Sequence, residues 1–269
     1  MKKSIKITGL TTVAAVAVLS LAACSTSGSS KTSSSSSSEK AVTLHYSAAA
    51  SLQKSLTTIY STYHKAHPNV TIDFDFAGSG AIREKVVAGA PIDGVFLASK
   101  SDTTTLTNAK KATDAQAVLG NTLDVIAPKD SKLSSSENLS DLIKGSKKIA
   151  IGEAATVPAG KYATQTMTKL NVLTEAQPKF VMGSDVTSVL NYVASGNADL
   201  GFVYKTDAMS SSKVKVLQEV PADLHDKITY YTATVSDTKN AAAVKAFDQY
   251  LTQSDAQKVF AKAGFSSAK

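Results

Sequence analysis

The 269-residue sequence predicts an α/β fold in two lobes, and three observations carry that expectation. Short strand-like runs alternate with segments whose apolar residues recur at helical spacing, the pattern of βα units and largely parallel sheets. The chain beyond residue 40 is long enough for one large domain or two modest lobes. Two long extended segments, residues 121–128 and 228–235, each offer a path between two sheets. On this reading residues 41–125 and 230–269 form one lobe and residues 126–229 an inserted second lobe. Two crossings between them make a hinge with a cleft.

Residues 1–6 carry Lys2, Lys3 and Lys6, residues 7–23 are uncharged and mostly apolar, and Leu21-Ala22-Ala23 sets small residues directly before Cys24. This is the order of a secretory signal, residues 1–23. A small-residue end followed by cysteine resembles a bacterial lipobox, which makes Cys24 the expected lipidated first residue of the mature chain. Residues 25–38 are almost wholly Ser, Thr and Gly, a composition that behaves as a flexible coil, so residues 24–40 read as a tether. The expected location is the outer face of a cell membrane, with the folded body held by a lipid.

The body then unfolds in order. Residues 42–46 read as a strand, and residues 49–67 place Leu52, Leu56, Ile59, Tyr60 and Tyr63 at helical spacing before Pro68 ends the run. Residues 70–77 alternate strictly, with Ile72, Phe74 and Phe76 on one face and Asp73 and Asp75 on the other. A helix over 81–88, a strand over 94–98 and a helix over 101–109 continue the series. The second half repeats it: strand 148–152, helix 160–169, helix 186–194, strand 200–204 and a terminal helical region over 240–263.

Composition excludes several classes. A single cysteine closes no internal disulfide and forms no CxxC pair. The formal charge is +7, but all the basic residues except Arg83 are scattered lysines, and guanidinium forks are the usual readers of phosphates and bases; a nucleic-acid partner is not expected. Removal of residues 1–23 leaves 26 basic against 22 acidic residues, so the mature charge is +4.

Enzyme machinery is equally thin. The sequence holds no GxSxG elbow, HExxH, Walker loop or GxGxxG. His64 and His67, three apart at a helix end, suit the helix dipole as well as a shared metal. His45 beside a serine would need an orienting carboxylate and an oxyanion hole to serve a hydrolase. The strand-to-helix loops instead are small and neutral: Ser47-Ala48-Ala49-Ala50-Ser51-Leu52, Ala77-Gly78-Ser79-Gly80-Ala81, Val157-Pro158-Ala159-Gly160 and Gly183-Ser184-Asp185-Val186. Helix N-termini present unpaired N–H groups and partial positive charge, so several converging on a cleft make an anion site without a cationic side chain. Taken singly, Ser51 and Ser184 read equally as N-caps, and Gly78 and Gly80 as turn formers.

Six segments in register carry a family resemblance: Tyr46-Ser47-Ala48-Ala49-Ala50-Ser51-Leu52, Phe76-Ala77-Gly78-Ser79-Gly80-Ala81-Ile82-Arg83, Ala88-Gly89-Ala90-Pro91-Ile92-Asp93, Gly120-Asn121-Thr122-Leu123, Val157-Pro158-Ala159-Gly160-Lys161-Tyr162-Ala163 and Gly201-Phe202-Val203-Tyr204-Lys205-Thr206-Asp207-Ala208. Together they resemble the periplasmic molybdate-binding proteins of ABC transporters, over residues 42 to about 266. The resemblance implies a type II periplasmic-binding-protein fold, two α/β lobes closing on a tetrahedral oxyanion, molybdate or tungstate as ligand, a permease and an ATPase as partners, no cofactor, no catalysis and a monomer. Molybdenum enters only as the oxyanion, with no direct metal ligand. Carried over residue by residue, the ligand set is the hydroxyl and N–H of Ser51, the hydroxyl of Ser79 with Gly80 as backbone donor, the N–H groups of Ala159 and Val186, and the phenol of Tyr204. The sequence departs from the family pattern at Glu153-Ala154, Thr187 and Tyr231.

Such a site selects by protonation. Molybdate and tungstate are fully deprotonated dianions at neutral pH, so donors alone satisfy every oxygen. Monohydrogen phosphate brings a proton that a donor-only site leaves unpaired, at about 1 to 3 kcal/mol. Sulfate differs from molybdate only in size, so a receptor for sulfate or thiosulfate is the nearest alternative. A secreted hydrolase using Ser51 or Ser79 with His45, and a surface lipoprotein without a small ligand, are the alternatives from other classes.

Overall fold

A computed structural model describes residues 40–268. The expected signal segment, Cys24 and nearly all of the serine-rich tether lie outside the described residues. The chain runs β1 (Val42–Ala49), a 3-10 turn (Ala50–Leu52), α1 (Gln53–Ala66), β2 (Val70–Ala77), α2 (Ser79–Val87), β3 (Gly94–Leu97), α3 (Lys100–Asn108), β4 (Ala112–Gly120), β5 (Leu123–Pro128), α4 (Leu139–Gly145), β6 (Ile149–Gly152), α5 (Pro158–Lys169) and α6 (Leu173–Ala176). It continues through a 3-10 turn (Gln177–Lys179), β7 (Phe180–Gly183), α7 (Val186–Ala194), β8 (Leu200–Tyr204), α8 (Lys205–Met209), β9 (Val214–Glu219), a 3-10 turn (Ala222–Leu224), β10 (Thr229–Val235), α9 (Ala241–Leu251), α10 (Ser254–Lys262) and β11 (Ser266–Ser267).

These strands form two sheets, ordered β11-β4-β10-β3-β1-β2 and β7-β6-β8-β5-β9. In the first, β1 lies parallel to β2 from Val42 opposite Val70 to Ala49 opposite Ala77, and parallel to β3. In the second, β6 lies parallel to β7 and β8. Both sheets are nevertheless mixed: β10 is antiparallel to β3 and β4, and β5 to β8 and β9. The cause is the route of the chain. β4 and β9 end where the chain passes between sheets, so β5 and β10 start there and run back against the parallel strands. The first passage is short, residues 121–122, and the second spans residues 220–228.

The periodic segments form the expected elements, with residues 240–263 divided into α9 and α10 by an extended Gln253. β4 has no clear signature, because its middle residues are exposed and Asp114 takes a left-handed φ of 54° beside register shifts in the pairing with β10. A continuous apolar core runs from Leu44, Tyr46 and Phe96 through Leu123 and Tyr230 to Val189 and Phe202, so the two sheets share buried surface at the crossings. A smaller cluster around Ile82, Val95 and Leu106 seats α2 and α3. Arg83 joins those two helices through Asp102 at 2.5 Å. Tyr46 Oη donates to the buried Asp248 at 2.5 Å, fixing α9 against β1. Among the described residues no helix is long and apolar enough to cross a membrane.

Candidate functional site

The parallel strands deliver their following helices to one place. β1 leads into the 3-10 turn at Ala50, β2 into α2, β6 into α5, β7 into α7 and β8 into α8. The first N–H groups of each helix have no intrahelical acceptor. A small cavity of about 10 Å³ lies among these ends, lined from the first sheet's side by Ser51, Gly78 and Ser79 and from the second by Val157, Pro158, Val186 and Tyr204. No lining residue carries a charged side chain.

Of the residues marked out in the sequence, Ser51, Ser79, Val186 and Tyr204 line this cavity. Ser51 sits within the 3-10 turn, not at its cap, and its Oγ is 2.9 Å from Tyr230 Oη. Ser79 opens α2, is fully buried, and its Oγ accepts the N–H of Ala98 at 2.9 Å. Val186 opens α7, which Asp185 caps by accepting from Ser188 N–H at 2.8 Å; Ser184 is therefore not the cap. Ala159 is buried in the first turn of α5, next to the lining Pro158. Tyr204 ends β8, and its Oη is buried with no hydrogen-bond partner among the described residues. Burial pushes the phenol well above its ordinary pKa, so it stays a donor.

Gly80 departs from the expected donor set. Its N–H donates to the carbonyl of Thr156 at 2.9 Å, across to the loop before α5, and is spent there. The glycines at 78 and 80 serve close approach and not a left-handed turn: a Cβ at 78 would lie 2.6 Å from Thr156 O, and one at 80 would lie 2.6 Å from Thr156 Cα. Two lysines make further bonds between the sheets' helices and loops. Lys161 Nζ reaches Ser101 Oγ at 3.2 Å, and Lys54 Nζ reaches the Ser210 carbonyl at 2.9 Å.

Behind Ser51 lies a polar chain with no role in the sequence reading. Asn121, in the first crossing, contacts Tyr230 Oη at 3.2 Å and Thr206 Oγ1 at 3.0 Å through Nδ2, and its Oδ1 accepts Thr122 N–H at 2.9 Å. Tyr204 packs edge-on against Tyr230 with ring centres 5.8 Å apart. Asn121 belongs to a quoted motif and Tyr230 to an extended segment, but nothing local in the sequence marks them as neighbours.

The hydrolase arrangement is not assembled. His45 lies in another cavity with Asp93 and Asn240, its Nδ1 3.8 Å from Asp73, while Ser51 and Ser79 bond to Tyr230 and Ala98. His64 Nδ1 is 2.8 Å from the Val70 carbonyl. Among the described residues no group of three or more His, Cys, Asp or Glu side chains is placed to hold a metal ion.

Two mixed α/β sheets joined by two crossings, with a helix-end cavity between them, define a two-lobed type II binding protein. The sequence profile of the bacterial extracellular solute-binding proteins matches residues 44–266, and the chain belongs to that family. It is 41% identical over 235 residues to YvgL of Bacillus subtilis, named as a candidate ABC transporter substrate-binding lipoprotein, covering 85% of this chain and 88% of that one. It is 36% identical over 226 residues to the molybdate-binding protein ModA of Escherichia coli, covering 81% and 86% respectively. The solved periplasmic molybdate-binding protein of Azotobacter vinelandii shares the fold with a TM-score of 0.72 at 23% identity, over 82% of this chain and 98% of that one.

Proposed function

We propose that this solute-binding protein takes molybdate or tungstate at the cavity between its lobes, which widens to admit an anion larger than the about 10 Å³ enclosed here, and delivers it to the membrane permease and ATPase of an ABC importer. The observation that carries the reading is the buried hydroxyl of Tyr204, without a hydrogen-bond partner among the described residues, on a residue that lines a cavity shared with two serines and helix N-termini and no charged side chain. The hydroxyls of Ser51, Ser79 and Tyr204 and the N–H groups of Ser51, Ala159 and Val186 form the ligand set; Gly80, bonded to Thr156, is left out of it. A site made of donors suits an anion with no proton of its own, and the names of the relatives point to the same oxyanion.

The mature chain is held outside the membrane by a lipid on Cys24 and works as a monomer. The two bodies are residues 41–120 with 229–269 and residues 123–219, a few residues off the 125/126 and 229/230 boundaries expected from sequence because β5 from Leu123 pairs with β8 and β9. They part at residues 121–122 and 220–228 to release cargo, since donors divided between two lobes lose their joint grip when the lobes separate. Thermal melts with molybdate, tungstate, sulfate and phosphate test the reading. A ligand at 100 times its dissociation constant stabilises by about 2.7 kcal/mol. Molybdate and tungstate are expected to raise the melting temperature and phosphate to leave it unchanged. A rise with sulfate alone assigns the site to the smaller oxyanion, and no rise with any of them overturns the reading.

A further inference from the structure

Ser51 is chemically ambivalent, with one proton to give and two lone pairs to accept with. The polar chain behind it removes the ambiguity. Thr122 N–H can only donate, so the Asn121 atom that it meets at 2.9 Å is the amide oxygen. The NH2 group therefore faces Thr206 and Tyr230, and both hydroxyl oxygens accept from it. Tyr230 is fully buried, and after accepting from Asn121 it has one hydrogen-bond acceptor for its own proton among the described residues, Ser51 Oγ at 2.9 Å. A phenol is a stronger acid than an aliphatic alcohol, which favours the same direction. Ser51 thus accepts from inside the protein and keeps its proton for the cavity. Ser79 is treated alike, since its Oγ accepts the Ala98 N–H.

Resting on the oxyanion reading above, we propose that Asn121 and Tyr230 are positioning residues: they lock Ser51 as a hydrogen-bond donor and thereby set the preference of the cleft for fully deprotonated oxyanions over proton-bearing ones. Without the lock, the Ser51 hydroxyl is free to turn and accept the proton of a hydrogen arsenate or hydrogen phosphate ion. Asn121 lies in the first crossing and Thr206 in the first turn of α8 of the second lobe, so the lock is built from both sides of the hinge.

The test is competition binding on the purified protein, with molybdate against arsenate at mildly alkaline pH, where arsenate is a singly protonated tetrahedral dianion. Tyr230→Phe keeps the ring and removes the proton held on Ser51. Asn121→Asp reverses the relay, because a carboxylate accepts from Tyr230, whose oxygen then accepts from Ser51. Each variant is expected to weaken molybdate roughly tenfold or more while arsenate holds or gains, so that the preference for molybdate shrinks by at least that factor. A merely structural role weakens both anions alike. An unchanged ratio, or arsenate that still fails to compete in both folded variants, overturns the proposal; circular dichroism establishes folding, and either variant suffices if the other does not fold. A wild-type protein that binds neither molybdate nor tungstate overturns the oxyanion reading itself, which is a different result from a wild-type that binds and variants that keep its selectivity.

Discussion

The hydroxyl of Tyr204 and that of Ser51 stand in opposite positions towards stability. Tyr204 Oη has no partner among the described residues, and an unsatisfied buried donor costs about 1 to 3 kcal/mol. Tyr204→Phe is therefore expected to leave the ligand-free melting temperature equal or higher while weakening molybdate about tenfold or more, by calorimetric titration and thermal melts on one sample. Ser51→Ala is expected to weaken the anion too, but with a lower ligand-free melting temperature, because it orphans the Tyr230 proton within a buried aromatic cluster. A rise in ligand-free stability in both variants would contradict this division.

At the level of elements, helix N-termini place the donors and glycines bring them together. The loops of this site were legible because each follows a strand and leads into a helix, and small residues with a serine or proline stand at the junction. What was not legible was the use of each group. Gly80 reads as a donor in sequence, yet its N–H goes to the carbonyl of Thr156, 76 positions further along the chain. Asn121 and Tyr230 are far apart in sequence and meet only through the pairing of β10 with β4, and β4 itself carries a mixed polar pattern with no clean period. Gly80→Ala would put a methyl 2.6 Å from Thr156 Cα, where no flexible side chain can yield. That variant is expected to hold the lobes apart: molybdate affinity should fall about tenfold or more, and small-angle scattering should show a larger radius with ligand than the wild type has. An unaltered radius with full affinity would show that the contact is not needed for closure.

Over the whole molecule, charge is kept out of the cleft but not out of the core. Burial raises the carboxyls of Asp207 and Asp248 to about 7, with Tyr204 N–H and Tyr46 Oη respectively offsetting part of the shift. A carboxyl raised in the folded state binds more protons there than in the unfolded chain, so stability falls as pH climbs from about 4 to about 7, by up to about 1.4 kcal/mol per pH unit for each group. Asp248→Asn is expected to flatten that fall, as urea midpoints at pH 4.5 and pH 7.5 would reveal; an equal slope would place the proton elsewhere. The interleaved order of strands has a consequence in time. β3 and β4 find their shared neighbour, β10, only after every residue of the second sheet has appeared. A chain emerging from its N-terminus can complete the inserted lobe while the first lobe still shows two open strand edges, and exposed edges invite pairing with other chains. The first half of the sequence is thus the last to finish folding, since β3 and β4 must wait for the residues that form β10.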